Sequence, residues 1–263
     1  PLTSAPHADT SGVYFFYFNS ANVLTSSHDF WDLSAVCPIA FVLYDTIPVP
    51  AQGVLCDERH GMVMDWATHV HQHFAKGAFV KSGFALDDTS YVIGSIVKDE
   101  KRFRIENGYF CDEDITLFHN DALIMEILAN RRYAIFYRTG VNGDWTWSKD
   151  EVFPVLWDSA TTFNPYYNQY VGGAWQLTLV STPVRWFNVF TCVTNSHDPY
   201  YKVINIVGQV LHTSRAAAEE ENILSLEWGD VPFQEIAPIY QTSFRCGPYG
   251  EGGNPNVRID AIQ

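Results

Sequence analysis

The segment from Asp57 to Phe74, DERHGMVMDWATHVHQHF, gathers four histidines and several carboxylates into one short, aromatic-flanked run. Imidazole and carboxylate are common metal ligands and proton carriers near neutral pH, so acid/base or metal chemistry is the first thing to consider. Spacing decides which side chains can act together. On a strand, His69, His71 and His73 would leave one face at intervals of about 7 Å, and three imidazoles can hold zinc or iron with one position open. On a helix only His69 and His73 would share a face. Met62, Met64 and Trp66 alternate as on a strand, yet the segment fits a helical period as well. The competing expectation is a polar network in which His60, His69 and His73 bond to backbone or to Asp57, Glu58 and Asp65, holding a half-buried turn between strands. On that expectation no metal and no cofactor is bound, and His69, His71 and His73 are the candidates should one be.

Two further groups have chemical potential. Asp112, Glu113 and Asp114 are adjacent carboxyls that would push one another's pKa values apart, as a general acid and base require. Neighbours on a strand point to opposite faces, so only Asp112 and Asp114 would cooperate there. A surface turn before a strand is the plainer role. Trp145 and Trp147, with Tyr166, Tyr167 and Tyr170, would offer flat faces to sugar rings, with Asn164 and Asn168 as hydrogen-bond partners. Trp and Tyr fill β cores and subunit interfaces equally well. The chain has no GxSxG elbow, no P-loop and no GxGxxG.

The elements that must position these residues read mainly as strands. Short aromatic and β-branched runs bounded by Gly, Pro, Asn and Asp occur at Val13–Phe18, Ile39–Tyr44, Ala134–Tyr137, Trp175–Val180, Phe187–Val193 and Val203–Val210. Asn142-Gly143, ahead of Trp145 and Trp147, predicts a hairpin turn. Two stretches read as helical: SRAAAEEENILSL with Ser214 as N-cap, and DALIMEILANRR from Asp121. The fold class is therefore mainly β, an antiparallel β-sandwich-like domain with one or two short helices. We read residues 1–263 as a single β-rich domain, with a seam near Trp157 that would mark lobes of residues 1–157 and 158–263.

Composition narrows the function classes. Of 263 residues 47% are hydrophobic and 15% aromatic, as in an ordered chain with a large core. A formal net charge of -14 argues against a phosphate-backbone partner, so nucleic-acid binding is not expected. The longest apolar runs have strand length, well short of the roughly 20 residues that span a bilayer, so membrane insertion is not expected. The start, PLTSAPHADT, lacks the pattern of a secretory signal, and synthesis in cytosol is expected. Five widely spaced cysteines without a CxxC pair favour reduced, mostly buried thiols.

Beyond about Ala35 the chain carries motifs in a fixed order. After DERHGMVMDWATHVHQHF come GAFVKSGFAL from Gly77, DEDI from Asp112, RRYAIFYRTG from Arg131 and VFPV from Val152, followed by YNQYVGGAWQLT from Tyr167 and LEWGDVPFQEIAPIYQT from Leu226. This ordered set resembles a signature of tail-fibre-like virion proteins of tailed bacteriophages. Two departures stand out: His71 occupies a position that is not His in the family pattern, and His119–Leu128 is more elaborate than a simple strand. The resemblance implies a non-enzymatic structural or adhesive component of a phage tail, a tail fibre or baseplate-associated protein made in the host cytoplasm and located in the virion. It implies a homotrimer, other tail or baseplate proteins as partners, contact with host surface glycan, no cofactor and no catalytic residues. The residues themselves leave two alternatives. One is a polysaccharide-degrading hydrolase working through Asp112, Asp114 or the histidines, and the other a non-catalytic glycan-binding module using the Trp and Tyr set.

Overall fold

The computed structural model describes residues 7, 10–46, 52–57, 65–86, 93–94, 96, 105–119, 133–151, 153–196, 198, 201–229, 235–249 and 255–263. Along the chain these form β1 (Gly12–Phe18), β2 (Leu24–Ser27), β3 (Cys37–Asp45), β4 (Gln52–Asp57), α1 (Trp66–Ala75), β5 (Ala78–Gly83), β6 (Gly108–Asp112) and β7 (Ile115–His119). There follow β8 (Tyr133–Thr139), β9 (Asp144–Glu151), β10 (Tyr166–Val171), β11 (Ala174–Leu179), β12 (Arg185–Thr194) and β13 (Val203–Val207). A short helix α2 (Arg215–Glu220), a 3-10 turn (Ile223–Ser225), β14 (Ile236–Cys246) and β15 (Val257–Ile262) complete the described elements. The protein is mainly β with antiparallel sheets, as the strand-like runs predict.

A six-stranded sheet, ordered β15-β14-β12-β13-β8-β9, lies at the centre. Every residue of its strand β13, VINIV, is buried, and successive side chains serve opposite faces. Val203 and Val207 join a core with Ile135, Val189, Phe187 and Phe244, covered by Phe84 and Phe110 and by the partly buried Val80 and Leu117. Ile204 and Ile206 join a second core with Phe136, Phe190 and Cys192, covered by Phe15, Phe41, Leu43 and Val54. The sheet β2-β1-β3-β4 thus lies on one face of the central sheet, and β5-β6-β7 with the β10-β11 hairpin on the other. The sandwich has a third layer, because a strand apolar on both faces needs cover on both. β13 pairs with β8 in parallel, Asn205 opposite Ile135, whereas its other neighbour β12 is antiparallel.

The central sheet takes β8 and β9 from before Trp157 and β12 to β15 from after it, so the seam falls between strands of one sheet. The β8-β9 hairpin turns through Asn142 and Gly143 as expected, the latter at φ 72°. Ser214 caps α2 through its hydroxyl, which accepts from the Ala217 N–H at 3.2 Å. The fully buried Asn188 of β12 docks that helix: its amide donates to Ala218 O at 2.8 Å and to Glu221 Oε2 at 2.6 Å, and its carbonyl accepts from Ser243 Oγ at 2.6 Å. The expected helix from Asp121 lies outside the described residues. Cys56, Cys111, Cys192 and Cys246 are buried free thiols, while Cys37 is exposed.

Candidate functional site

Local chemistry settles the histidine segment as a helix. The Asp65 carboxylate caps α1 by accepting from the Thr68 N–H at 2.9 Å. Gly77, at φ 54°, ends it, with its N–H on Gln72 O at 3.0 Å. His69 and His73 therefore share one face one turn apart, while His71 is exposed. This corrects the strand arrangement of His69, His71 and His73, and also the turn between strands. His60 and Glu58 lie outside the described residues.

The helix runs through Gly77 directly into β5, whose first residue Ala78 pairs with Asp112 at the end of β6. That register brings the last turn of α1 to the DEDI turn, and the Glu113 N–H reaches Gly77 O at 3.3 Å. A third segment arrives through the central sheet. Thr194 of β12 pairs with Ile236 of β14, so the residues one step beyond, Asn195 and Glu235, come side by side. Two imidazoles and three carboxyls meet at this junction.

The contacts are short and enclosed. His73 Nδ1 lies 2.6 Å from Glu113 Oε1 and 3.2 Å from Glu235 Oε1, and its Nε2 is 2.8 Å from His69 Nε2. Asn195 donates its amide to Asp112 Oδ2 at 2.6 Å. Asp112 and Glu113 are 3% exposed, Glu235 5% and His69 8%. Burial, then the negative charge of Glu235, pushes the Asp112 carboxyl up to about 8, against the opposing bond from Asn195. Donor atoms of Asp112, Glu113 and Glu235 lie within 4.8 Å of one another, as do those of His69, His73 and Glu113. Such an arrangement can share protons or hold a cation.

The expected carboxyl pairing changes here too. Glu113, not Asp114, joins Asp112, because both turn residues have left the strand and Glu113 sits at φ 51°, where alternation no longer applies. Glu235 and Asn195 escape sequence reasoning altogether, since only long-range strand pairing brings them in. Asp65 caps the helix instead of pairing with its histidines.

The aromatic candidates do not form one surface. Trp145 and Trp147 are buried, their indole N–H groups donating to Trp228 O at 2.7 Å and to Tyr201 Oη at 3.3 Å. Tyr166 and Tyr167 pack half-buried against the core, and Asn168 is buried, paired with the backbone of Arg138. Tyr170 is exposed, 5.8 Å from the Trp175 ring. An edge of Trp145 does reach a cleft of about 1030 Å³, lined also by Phe30, Asp45, Asp144 and Trp228.

An aromatic face lies instead on the small sheet. Phe79, Tyr109 and Phe118 are 41%, 44% and 47% exposed. Tyr109 pairs with Phe118, their ring centroids 4.9 Å apart, and Phe79 lies opposite Cys111, so all three leave the side of the sheet away from the core. Val80, Phe110 and Leu117 hold the inner side.

One histidine stands apart from the cluster. His119, at the end of β7, is fully buried beside Phe84 and Phe110, at ring-centroid distances of 5.6 and 5.9 Å. Neither ring nitrogen has a hydrogen-bond partner among the described residues. Burial, with a smaller contribution from the Lys202 ammonium, pushes its imidazole down to about 4.

No protein-family model, curated protein or solved structure matches this chain.

Proposed function

We propose that this chain is a structural and adhesive component of a bacteriophage tail. On this reading it is a fibre or baseplate-associated domain that assembles as a homotrimer and with other tail proteins, and meets the host surface without catalysing a reaction. The observation that carries the reading is the exposed aromatic face of Phe79, Tyr109 and Phe118, on the β5-β6-β7 sheet, whose first strand lies in GAFVKSGFAL and whose β6-β7 turn is DEDI. A contiguous exposed apolar patch marks an interaction surface. In a chain of net charge -14, copies repel unless they meet through uncharged surface. Of the two carboxyls offered for hydrolysis, Asp112 is too enclosed to present itself to a polymer, while Asp114 is half-buried.

Sedimentation analysis of the purified chain tests the assembly. The wild type is expected to be trimeric, and the combined Phe79→Ser, Tyr109→Ser and Phe118→Ser variant monomeric with unchanged circular dichroism. Aromatic hot spots at the centre of an interface contribute about 2 kcal/mol or more each, enough for the triple variant to dissociate the assembly. Antibodies to the chain should label tails of intact particles. A wild-type monomer together with unlabelled tails would overturn the reading. Release of reducing ends from host polysaccharide would replace it with the hydrolase.

A further inference from the structure

We propose that His73, Glu113, Glu235 and Asp112 bind one divalent transition-metal ion of the zinc class, with His69 as the residue that orients the imidazole ligand. The ion would fasten α1, the β6-β7 turn and the start of β14 to one another. This inference stands apart from the tail reading, since it rests only on the junction itself.

The donor set is mixed, and that sets its preference. His73 Nδ1 faces two carboxylate oxygens, of Glu113 at 2.6 Å and Glu235 at 3.2 Å, and Asp112 completes a triple of carboxyls within 4.8 Å. Imidazole beside carboxylates suits zinc and its first-row neighbours, whereas magnesium and calcium take oxygen alone. Ligand bonds of about 2.0–2.2 Å in a tetrahedron place neighbouring donor atoms roughly 3.3–3.6 Å apart. The two His73 separations, 2.6 and 3.2 Å, would open by about 1 Å or less, and carboxyl oxygens within 4.8 Å of one another would draw together, both by small side-chain rotations. The donors come from positions 73, 112, 113 and 235, so the site exists only in the folded chain.

The outer contacts are those a metal-bound histidine needs. With Nδ1 on the ion, His73 would carry its remaining proton on Nε2, which lies 2.8 Å from His69 Nε2 and would donate to it. A second partner of this kind fixes the tautomer and the ring plane of a ligating histidine. Asn195 holds Asp112 in the same way at 2.6 Å. Charge completes the argument: three carboxyls more than nine-tenths buried meet at one point. A bound dication would be the largest local charge there and would balance theirs.

The test uses the full chain, stripped with chelator and titrated with Zn²⁺ alone. We expect equimolar zinc retained after buffer exchange, a raised melting temperature, and, with Co²⁺ in its place, visible bands of a nitrogen- and oxygen-ligated ion. His73→Asn and the isosteric Glu113→Gln should abolish uptake. His69→Asn should weaken it by about 10- to 100-fold, as loss of an outer partner does. His71→Asn, on the exposed side of α1, should bind like wild type. Circular dichroism of the stripped variants separates lost binding from lost folding, and Glu113→Gln keeps the side-chain volume. Failure of the wild type to retain zinc would overturn the proposal, as would retention undiminished in both His73→Asn and Glu113→Gln.

Discussion

Replacing His119 with Leu, a residue of similar volume, tests how the core treats an enclosed imidazole. The ring has no hydrogen-bond partner among the described residues, and its pKa falls from 6.5 to about 4 on folding. The folded chain therefore binds fewer protons here than the unfolded chain between those limits, and stability rises with pH. The contribution is fully present above pH 6.5, is lost as pH falls toward 4, and is flat below. At about 1.4 kcal/mol per pH unit the loss comes to about 3 kcal/mol. The substitution removes it. At neutral pH the variant also relieves the desolvation of unpaired ring nitrogens, worth about 1–3 kcal/mol, against a shape mismatch of up to about 1.5 kcal/mol. The variant should thus exceed wild type by about 1 kcal/mol at pH 7 and by about 4 kcal/mol at pH 4. Urea unfolding followed by tryptophan fluorescence, with chelator present, measures both curves. A wild-type to variant difference constant between pH 4 and 6.5 would refute the reasoning. So would a variant destabilised at pH 7 by more than about 2 kcal/mol, a loss that implies a hydrogen bond to the ring.

Two substitutions probe the scaffold. Asn188→Ala removes the two bonds that dock α2 on the central sheet, together with the Ser243 bond inside that sheet. It should cost about 3 kcal/mol or more, with amide protons of Arg215–Glu220 exchanging faster than in wild type; unchanged exchange would show that the helix docks without Asn188. Gly83→Ala places a Cβ 2.2 Å from Asn107 O at φ 83°, and left-handed strain with overpacking should cost about 2–5 kcal/mol, read as a lowered melting temperature. A variant melting with wild type would mean that the β5-β6 backbone yields freely.

Much of the scaffold was legible in the sequence because its signals are local. Val13–Phe18 and the start of Val203–Val210 are strands by residue type, and VINIV, apolar at every position but Asn205, carries apolar side chains to both faces. Ser214 announces α2. The histidine segment was ambiguous because HVHQHF satisfies both periods. Its deciding signals, the Asp65 cap and the Gly77 stop, lie at the ends of the segment. Glu113 was misplaced by strand alternation, which fails in a turn. Glu235 had no local signal at all, since it reaches His73 only through the pairing of β12 with β14.

The parallel pairing of β8 with β13 imposes an order on synthesis. β8 and β9 can form their hairpin as soon as both emerge, but the second partner of β8 lies beyond β12, from Val203 onward. At about 5–20 residues per second the interval from Thr139 to Val203 lasts about 3–13 s. Throughout it Ile135 and Phe136 stand on an unpaired strand edge, the kind of template on which nascent chains associate wrongly. The yield of soluble chain then depends on what shields that edge for those seconds, a kinetic demand that the stability of the finished sheet does nothing to relax.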